Sequence, residues 1–99
     1  MKKKTAAVAI LTLPAHLDLP AAATLHEQLL GMRGEPIAID ASKVESLGGQ
    51  CLQILLSAVV TWKADMTQLS FVKASTGFEN GLRLLGMSVD ALSERELIA

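Results

Sequence analysis

The segment Asp40–Leu56 contains the end of an apolar strand, a turn with adjacent glycines and the start of an apolar helix in one continuous run. Pro36–Asp40 has the composition of a short strand, and from Leu52 onward apolar residues recur at steps of three and four. This spacing predicts an amphipathic helix from about Gly49 to Ala64 that packs on a sheet. Its predicted inward stripe is Leu52, Leu55, Leu56, Val59 and Trp62. A strand, a glycine turn and a helix in direct succession favour an α/β fold.

Further strands and helices are predicted in alternation. Thr5–Leu13, which is rich in Ala, Val, Ile and Leu, and Leu69–Val72 have the composition of buried strands. The order strand, helix, strand, helix, strand, helix predicts parallel strands joined by right-handed crossovers, with helices covering the sheet. The length of 99 residues suits one domain, so we expect residues 1–99 to fold as a single unit.

Asp18 marks the start of the first predicted helix. Its carboxylate can accept hydrogen bonds from unpaired amides, and Pro20 lacks an amide at a position where none is needed. Gly31 and Gly34 supply the backbone conformations that end a helix. The predicted apolar face contains Ala22, Leu25, Leu29 and Met32.

Two more helices are predicted near the end of the chain. Ser75 is placed to cap a third helix, which Gly86 ends. The predicted inward face of that helix is Phe78, Leu82 and Leu85. Ser93–Glu96 has the spacing of a capping box, which predicts a last helix over Ser93–Ala99.

The charge balance and the single cysteine limit the classes of function. Nine basic residues against ten acidic ones give no strong positive field that would attract nucleic acid. One Trp, two Phe and no Tyr offer no series of rings on which bases could stack. A single cysteine excludes an internal disulfide and suits a reducing compartment, so we expect a cytoplasmic protein. The basic, apolar start is expected to belong to the first strand and not to a secretory signal, because Pro14 ends a short run, and no run approaches the length of a membrane span.

Three short motifs stand at separate places in the chain. Leu17–Leu19 with Ala22 is a Leu-Asp motif before the first helix, Asp40–Leu52 covers the strand end and the glycine turn, and Leu84–Met87 is a Leu-Leu-Gly-Met motif after the third helix. Together they resemble the STAS family, the bacterial anti-sigma-factor antagonists, over nearly the whole chain. The resemblance implies an α/β fold of one domain, with a mixed sheet and helices packed on it. It also implies a non-enzymatic protein that binds other proteins and needs no cofactor.

The central motif departs from the family pattern in its chemistry. Asp40 stands where the family has an aspartate, but the family turn reads Asp-Ser-Ser-Gly-Leu and its second residue is phosphorylated. Against the first four residues of that turn this chain has Gly48, Gly49, Gln50 and Cys51. Gly49 therefore stands at the phosphoacceptor position and has no hydroxyl to carry a phosphate. Ser46 and Ser42 lie nearby, and either is an alternative acceptor.

The resemblance also implies a protein-binding surface around the glycine turn. The expected contact residues are Asp18, Gly48, Gly49, Gln50 and Gln53. The implied partners are a kinase-like anti-sigma factor, a histidine kinase or a response regulator. Leu47–Gln53 with Trp62 further resembles small STAS proteins encoded among bacterial chemotaxis genes, which favours a role in signal transduction. An alternative hypothesis is a STAS assembly subunit of an ABC-type transporter.

Other interpretations of these residues remain open. Cys51 with His16 or His26 could form a thiol nucleophile and a base, although a cysteine in the first turn of an apolar helix is more often a packed residue. These three residues lack the close spacing of a metal-binding motif, so no metal site is predicted. Gly48 and Gly49 could be required only for positive backbone angles or for close approach of another chain segment.

Overall fold

The computed structural model describes residues 8–93, in which short strands alternate with helices. The strands are β1 (Ala9–Thr12), β2 (His16–Leu17), β3 (Ile37–Asp40), β4 (Ser46–Leu47) and β5 (Leu69–Val72). The helices are α1 (Leu19–Gly31), α2 (Gly49–Ala64), α3 (Thr76–Leu84) and α4 (Val89–Ser93). None of these helices combines the length and the apolar character that crossing a membrane requires.

The main sheet has three parallel strands in the order β1-β3-β5. Leu11 is level with Ile39, and Ile39 is level with Phe71 on the third strand. A second, two-stranded parallel sheet pairs β2 with β4. Every strand pairing within residues 8–93 is parallel, as the alternation of strands and helices predicts, and the α/β class is confirmed.

One face of the main sheet forms the hydrophobic core with the helices. Leu11 and Ile39 are buried there, and α1 packs against α2 while α2 and α4 contact β5. On the other face, Ile10 is 65% exposed and its neighbours Ala38 and Ser70 are only half-buried. Within the described part of the chain, the helices therefore cover mainly one face of the sheet, whereas parallel sheets usually have both faces covered.

The helix predicted over Gly49–Ala64 forms over those residues. Its inward stripe is correct, because Leu52, Leu55, Val59 and Trp62 are buried and Leu56 is half-buried against the core. Asp18 caps α1 as predicted, with its Oδ1 accepting a hydrogen bond from the Ala21 amide at 3.3 Å. Of the first predicted strand, residues 9–12 form β1, and residues 5–7 lie outside the described residues.

The predicted inward position of Leu85 is wrong. Ser75 caps α3 as expected, accepting from the Phe78 amide at 3.0 Å, but the helix ends at Leu84 and Leu85 is 43% exposed. The chain leaves the helix through Gly86, whose φ of +83° favours glycine, and the Met87 amide then donates to the Leu82 carbonyl at 2.7 Å. Met87 is partly buried and packs against the core after this turn.

A fourth helix, which the sequence analysis did not predict, follows Gly86. It spans Val89–Ser93, its first turn is capped by Ser88 Oγ at 3.1 Å from the Ala91 amide, and Leu92 is buried. The predicted helix over Ser93–Ala99 falls outside the described residues apart from Ser93.

Glycines allow α3 to approach the segment that leads into β4. A β-carbon on Gly77 would lie 2.5 Å from the Val44 carbonyl oxygen, and one on Gly81 would lie 2.8 Å from the Leu47 β-carbon. Ser75 Oγ also donates to the Val44 carbonyl oxygen at 2.6 Å. Helix α3 therefore packs directly against the segment from Val44 to Leu47, which precedes the turn that begins α2.

Leu55→Ala should lower the free energy of unfolding by about 2–5 kcal/mol, because Leu55 is fully buried and its truncation leaves a cavity. Gln53→Ala, an exposed position on the same helix, is the control and should change stability by less than about 0.5 kcal/mol. Urea denaturation measures both. Equal denaturation midpoints for the two variants would contradict the orientation of α2.

Gly77→Ala should destabilise the fold by about 1–3 kcal/mol, since the added methyl group would collide with the backbone at Val44 and Glu45. Gly49→Ala adds the same methyl group where no atom lies within 4 Å, and it should leave stability unchanged or raise it by up to about 1 kcal/mol. Thermal melting of the two variants compares them directly. A Gly77→Ala protein as stable as Gly49→Ala would rule out the close contact of α3.

Candidate functional site

The pairing of β2 with β4 brings the start of α1 beside the start of α2. The Gly48 amide donates to the Leu17 carbonyl at 2.8 Å, and the Glu45 amide donates to the Ala15 carbonyl at 2.7 Å. Leu17 immediately precedes Asp18, the cap of α1, and Gly48 is the cap residue of α2. The two helix amino termini, far apart in sequence, are therefore held next to each other.

The two glycines of the turn differ in how much space the structure leaves for a side chain. A β-carbon on Gly48 would lie 3.2 Å from the Leu17 carbonyl oxygen, so a side chain there would press on the hydrogen bond between the two strands. Gly49 has no atom within 4 Å of its β-carbon position. Neither residue has a positive φ. Close approach of the Leu17 carbonyl therefore explains the glycine at position 48. Neither a positive φ nor close approach of another segment explains the glycine at position 49.

All five of the expected contact residues are exposed: Asp18, Gly48, Gly49, Gln50 and Gln53. The first turn of α2 has no side-chain cap, because Gly48 offers only its backbone. Its first two residues, Gly49 and Gln50, are exposed and lie beside Asp18, whose carboxylate caps α1. The surface is small, neutral along the turn and able to donate hydrogen bonds from both backbone and glutamine side chains.

Cys51 is buried under this surface and belongs to the packing of the turn. Its Sγ donates a weak hydrogen bond to the Asp18 carbonyl oxygen at 3.4 Å, which ties α2 to the start of α1. Burial, and secondarily the nearby Asp18 carboxylate, raises the pKa of the Cys51 thiol. A thiol with a raised pKa is a poor nucleophile, and this environment is that of a structural cysteine.

Ser46 lies at the edge of the turn and is hydrogen-bonded to a histidine. His16 Nδ1 is 3.0 Å from Ser46 Oγ, and His16 Nε2 is 3.8 Å from a carboxylate oxygen of Glu45. All three residues are exposed, so the cluster is accessible to solvent. No sequence pattern indicates this cluster, because it depends on the pairing of two strands of two residues each.

Asp40 shapes the turn that leads from β3 toward the site. Its Oδ1 accepts a hydrogen bond from the Ser42 amide at 2.9 Å. Hydrogen bonds from Ser42, assisted by the charges of Lys73 and Lys43, hold the pKa of the Asp40 carboxyl below its usual value. Asp40 therefore has a structural role, and Ser42 is exposed within the turn that Asp40 closes.

The three residues considered for metal or thiol chemistry are not gathered in one place. His16 is at the β2–β4 edge, His26 lies on α1, and Cys51 is turned into the core. Within residues 8–93 there is no group of three or more potential metal ligands.

In the comparison with protein-family models, residues 1–96 match the family described as Mlab, STAS domain. No curated protein and no solved structure matches the chain. The match covers nearly the full length, including the strand end, the glycine turn and all of α2. The chain thus belongs to the STAS domain family, whose members are in general non-catalytic modules that bind other proteins.

Proposed function

We propose that residues 1–99 form one STAS domain of a bacterial signalling system that regulates a protein partner through the amino end of α2. The contact surface consists of Asp18, Gly48, Gly49, Gln50 and Gln53. The partner is a kinase-like anti-sigma factor, a histidine kinase or a response regulator, and a chemotaxis pathway is the favoured setting. The observation that carries the proposal is the exposed, uncapped first turn of α2, held beside the start of α1 by the Gly48–Leu17 hydrogen bond.

The chemistry of this surface supports binding that is not switched at the usual position. Gly49 has no hydroxyl, although a side chain would fit there. The turn therefore carries no charge, Asp18 being the one charged side chain of the contact surface, and the glutamine and backbone amides are donors for a partner's acceptors. A partner matched to this surface would contact backbone and glutamine amides, with no phosphate to repel it.

The environment of Cys51 supports a non-enzymatic role, and a chain with a single cysteine suits the reducing cytoplasm. A buried thiol with a raised pKa does not supply the nucleophile that a Cys51-dependent enzyme would need.

The same neutral turn supports a second candidate function, a STAS assembly subunit of an ABC-type transporter. A permanent assembly contact needs no phosphoacceptor. Gly49, which has no hydroxyl, is compatible with such a contact. Mass spectrometry of the proteins that co-purify with the chain from its native host separates the two functions. A kinase or response regulator supports the first, and a permease with its ATPase supports the second.

Incubation with ATP and a kinase that phosphorylates STAS domains should leave the Gly48–Gln50 turn unmodified, because no hydroxyl is present there. Intact-mass and peptide mass spectrometry measure the modification. Gly49→Ser should become a substrate, since a β-carbon fits at that position. A stoichiometric phosphate on Ser46 or Ser42 of the natural chain would show that the acceptor has moved and would refute the unswitched model.

Gln50→Asp should weaken partner binding while leaving the fold intact. A carboxylate in the first turn of α2 interacts favourably with the helix amino terminus, by about 0.3–1 kcal/mol, so the melting temperature should hold or rise slightly. Against a partner matched to the uncharged turn, the new carboxylate is desolvated and unpaired, which costs on the order of 1–3 kcal/mol of binding. Calorimetric titration against the partner recovered from the native host measures the change.

Gln68→Asp is the matched control for that experiment. Gln68 is exposed and precedes β5, at the end of the sheet opposite the glycine turn. The same chemical change there should leave the Kd unchanged. If Gln50→Asp is folded and binds as tightly as Gln68→Asp, the partner contacts a different surface.

A further inference from the structure

An apolar groove runs between α1 and α2 on the solvent side of the helix pair. Its volume is about 260 Å³. Leu29, Ala58 and Trp62 form a buried floor. Ile54 is half-buried in the groove, and Leu30, which is 59% exposed, stands on its rim. Apolar surface of this kind is left open to water by the packing of the two helices.

The floor of the groove is held in a fixed shape. Trp62 Nε1 donates to the Glu35 carbonyl oxygen at 2.7 Å, so the indole is anchored at its polar end. Ala58 is the small residue that leaves space between the two helices, and its burial places it at the bottom of the groove. A preformed floor lowers the entropic cost of binding an apolar group.

The ionisable side chains that line the groove are His26 and Arg33, and no carboxylate lines it. Arg33 is oriented by Asp65, which accepts from Nε at 2.9 Å and from Nη2 at 3.2 Å. These bonds leave Nη1 for another acceptor. Asp65 offsets the charge of Arg33, so the rim offers a hydrogen-bond donor, Arg33 Nη1, and not a net positive charge. A carboxylate is a strong acceptor for a guanidinium N–H, so the rim favours an occupant that brings one together with its apolar groups.

The size and position of the groove indicate the class of occupant. Its volume lies below the roughly 300–1,000 Å³ of typical small-molecule sites, but it suits large apolar side chains presented by a helix. Gln53 both lines the groove and belongs to the proposed contact surface, one turn after Gln50. The groove is thus continuous with that surface along α2.

We propose that this groove receives the apolar face of an amphipathic helix of the protein partner, with an acidic residue of that helix facing His26 and Arg33. The proposal rests on the proposed function, in which the partner contacts the amino end of α2. It extends the contact along α2 to Trp62 and adds α1 to the interface. Apolar anchors in the groove supply affinity, and the remaining Arg33 donor selects a helix that carries a carboxylate.

The test uses two synthetic helical peptides and the full chain labelled with ¹⁵N. Both peptides carry leucines at positions i, i+3, i+4 and i+7, and they differ in having flanking glutamates or flanking lysines. The acidic peptide should shift the amide resonances of Leu30, Arg33, Ser57 and Thr61 and bind at least about tenfold more tightly than the basic one. Leu30→Ser should weaken it about fivefold to tenfold, and Leu84→Ser, which removes a leucine that is 86% exposed on α3, should not. Arg33→Gln should reduce the preference for the acidic peptide.

Other results would overturn the proposal. These are no binding of the acidic peptide, equal binding of both peptides, or shifts confined to residues 48–50. Tighter binding of laurate than of the acidic peptide would assign the groove to a small amphipathic anion. Self-association in light scattering that Leu30→Ser abolishes would assign it to a second copy of the chain.

The two proposals fail in distinguishable ways. Gln50→Asp leaves the groove intact and should not affect binding of the acidic peptide. If the peptide binds the groove but Gln50→Asp does not weaken the recovered partner, the turn surface is wrong and the groove stands. If Gln50→Asp weakens the partner but Leu30→Ser and Arg33→Gln do not, the groove proposal is wrong and the turn surface stands.

Discussion

The hydrogen bond from the Gly48 amide to the Leu17 carbonyl oxygen sets the geometry on which the candidate site depends. It closes the pairing of β2 with β4, and that pairing places the start of α2 against the start of α1. Helix α3 holds the same segment from the other side, because Gly77 and Gly81 let its backbone approach Val44 and Leu47. The exposed turn is therefore built on contacts with strand and helix backbone. These contacts favour glycine at position 48, where a β-carbon would press on the Leu17 carbonyl oxygen, but they place no such limit on position 49.

The sequence predicted the parts of this fold that extend over several residues. Repeated apolar spacing after the glycine turn predicted α2 from about Gly49 to Ala64, which agrees with its bounds, and side-chain oxygen atoms at Asp18 and Ser75 located two helix starts. It missed β2 and β4, because two residues are too few to show a period, and these strands are defined by pairing with a distant partner. It placed Leu85 inward because helical spacing was continued past the point where Gly86 turns the chain. A glycine three or four residues after the last buried position was the available signal.

The candidate site likewise combines features that the sequence predicts with features that depend on tertiary contacts. Exposure of Asp18, Gly48, Gly49, Gln50 and Gln53 agrees with the sequence, since all are polar or small and lie outside the apolar stripe. Their proximity comes from tertiary pairing, as does the hydrogen bond between His16 and Ser46. The groove between α1 and α2 also depends on how two helices sit together, and no spacing in either helix encodes it. Glycines four residues apart within α3 were a readable sign of close packing.

The missing side-chain cap of α2 has a consequence for motion. Helix α1 begins with a carboxylate bonded to its first turn, and α3 begins with a hydroxyl in the same role, but α2 begins with a glycine that offers neither. A first turn without a cap opens at lower free energy than a capped one, so its amides should exchange with solvent deuterium sooner than those of α1 or α3. A protein that seats on this turn would supply the absent acceptors. Binding would then order the first turn of α2, and the entropic cost of ordering it would lower the net affinity.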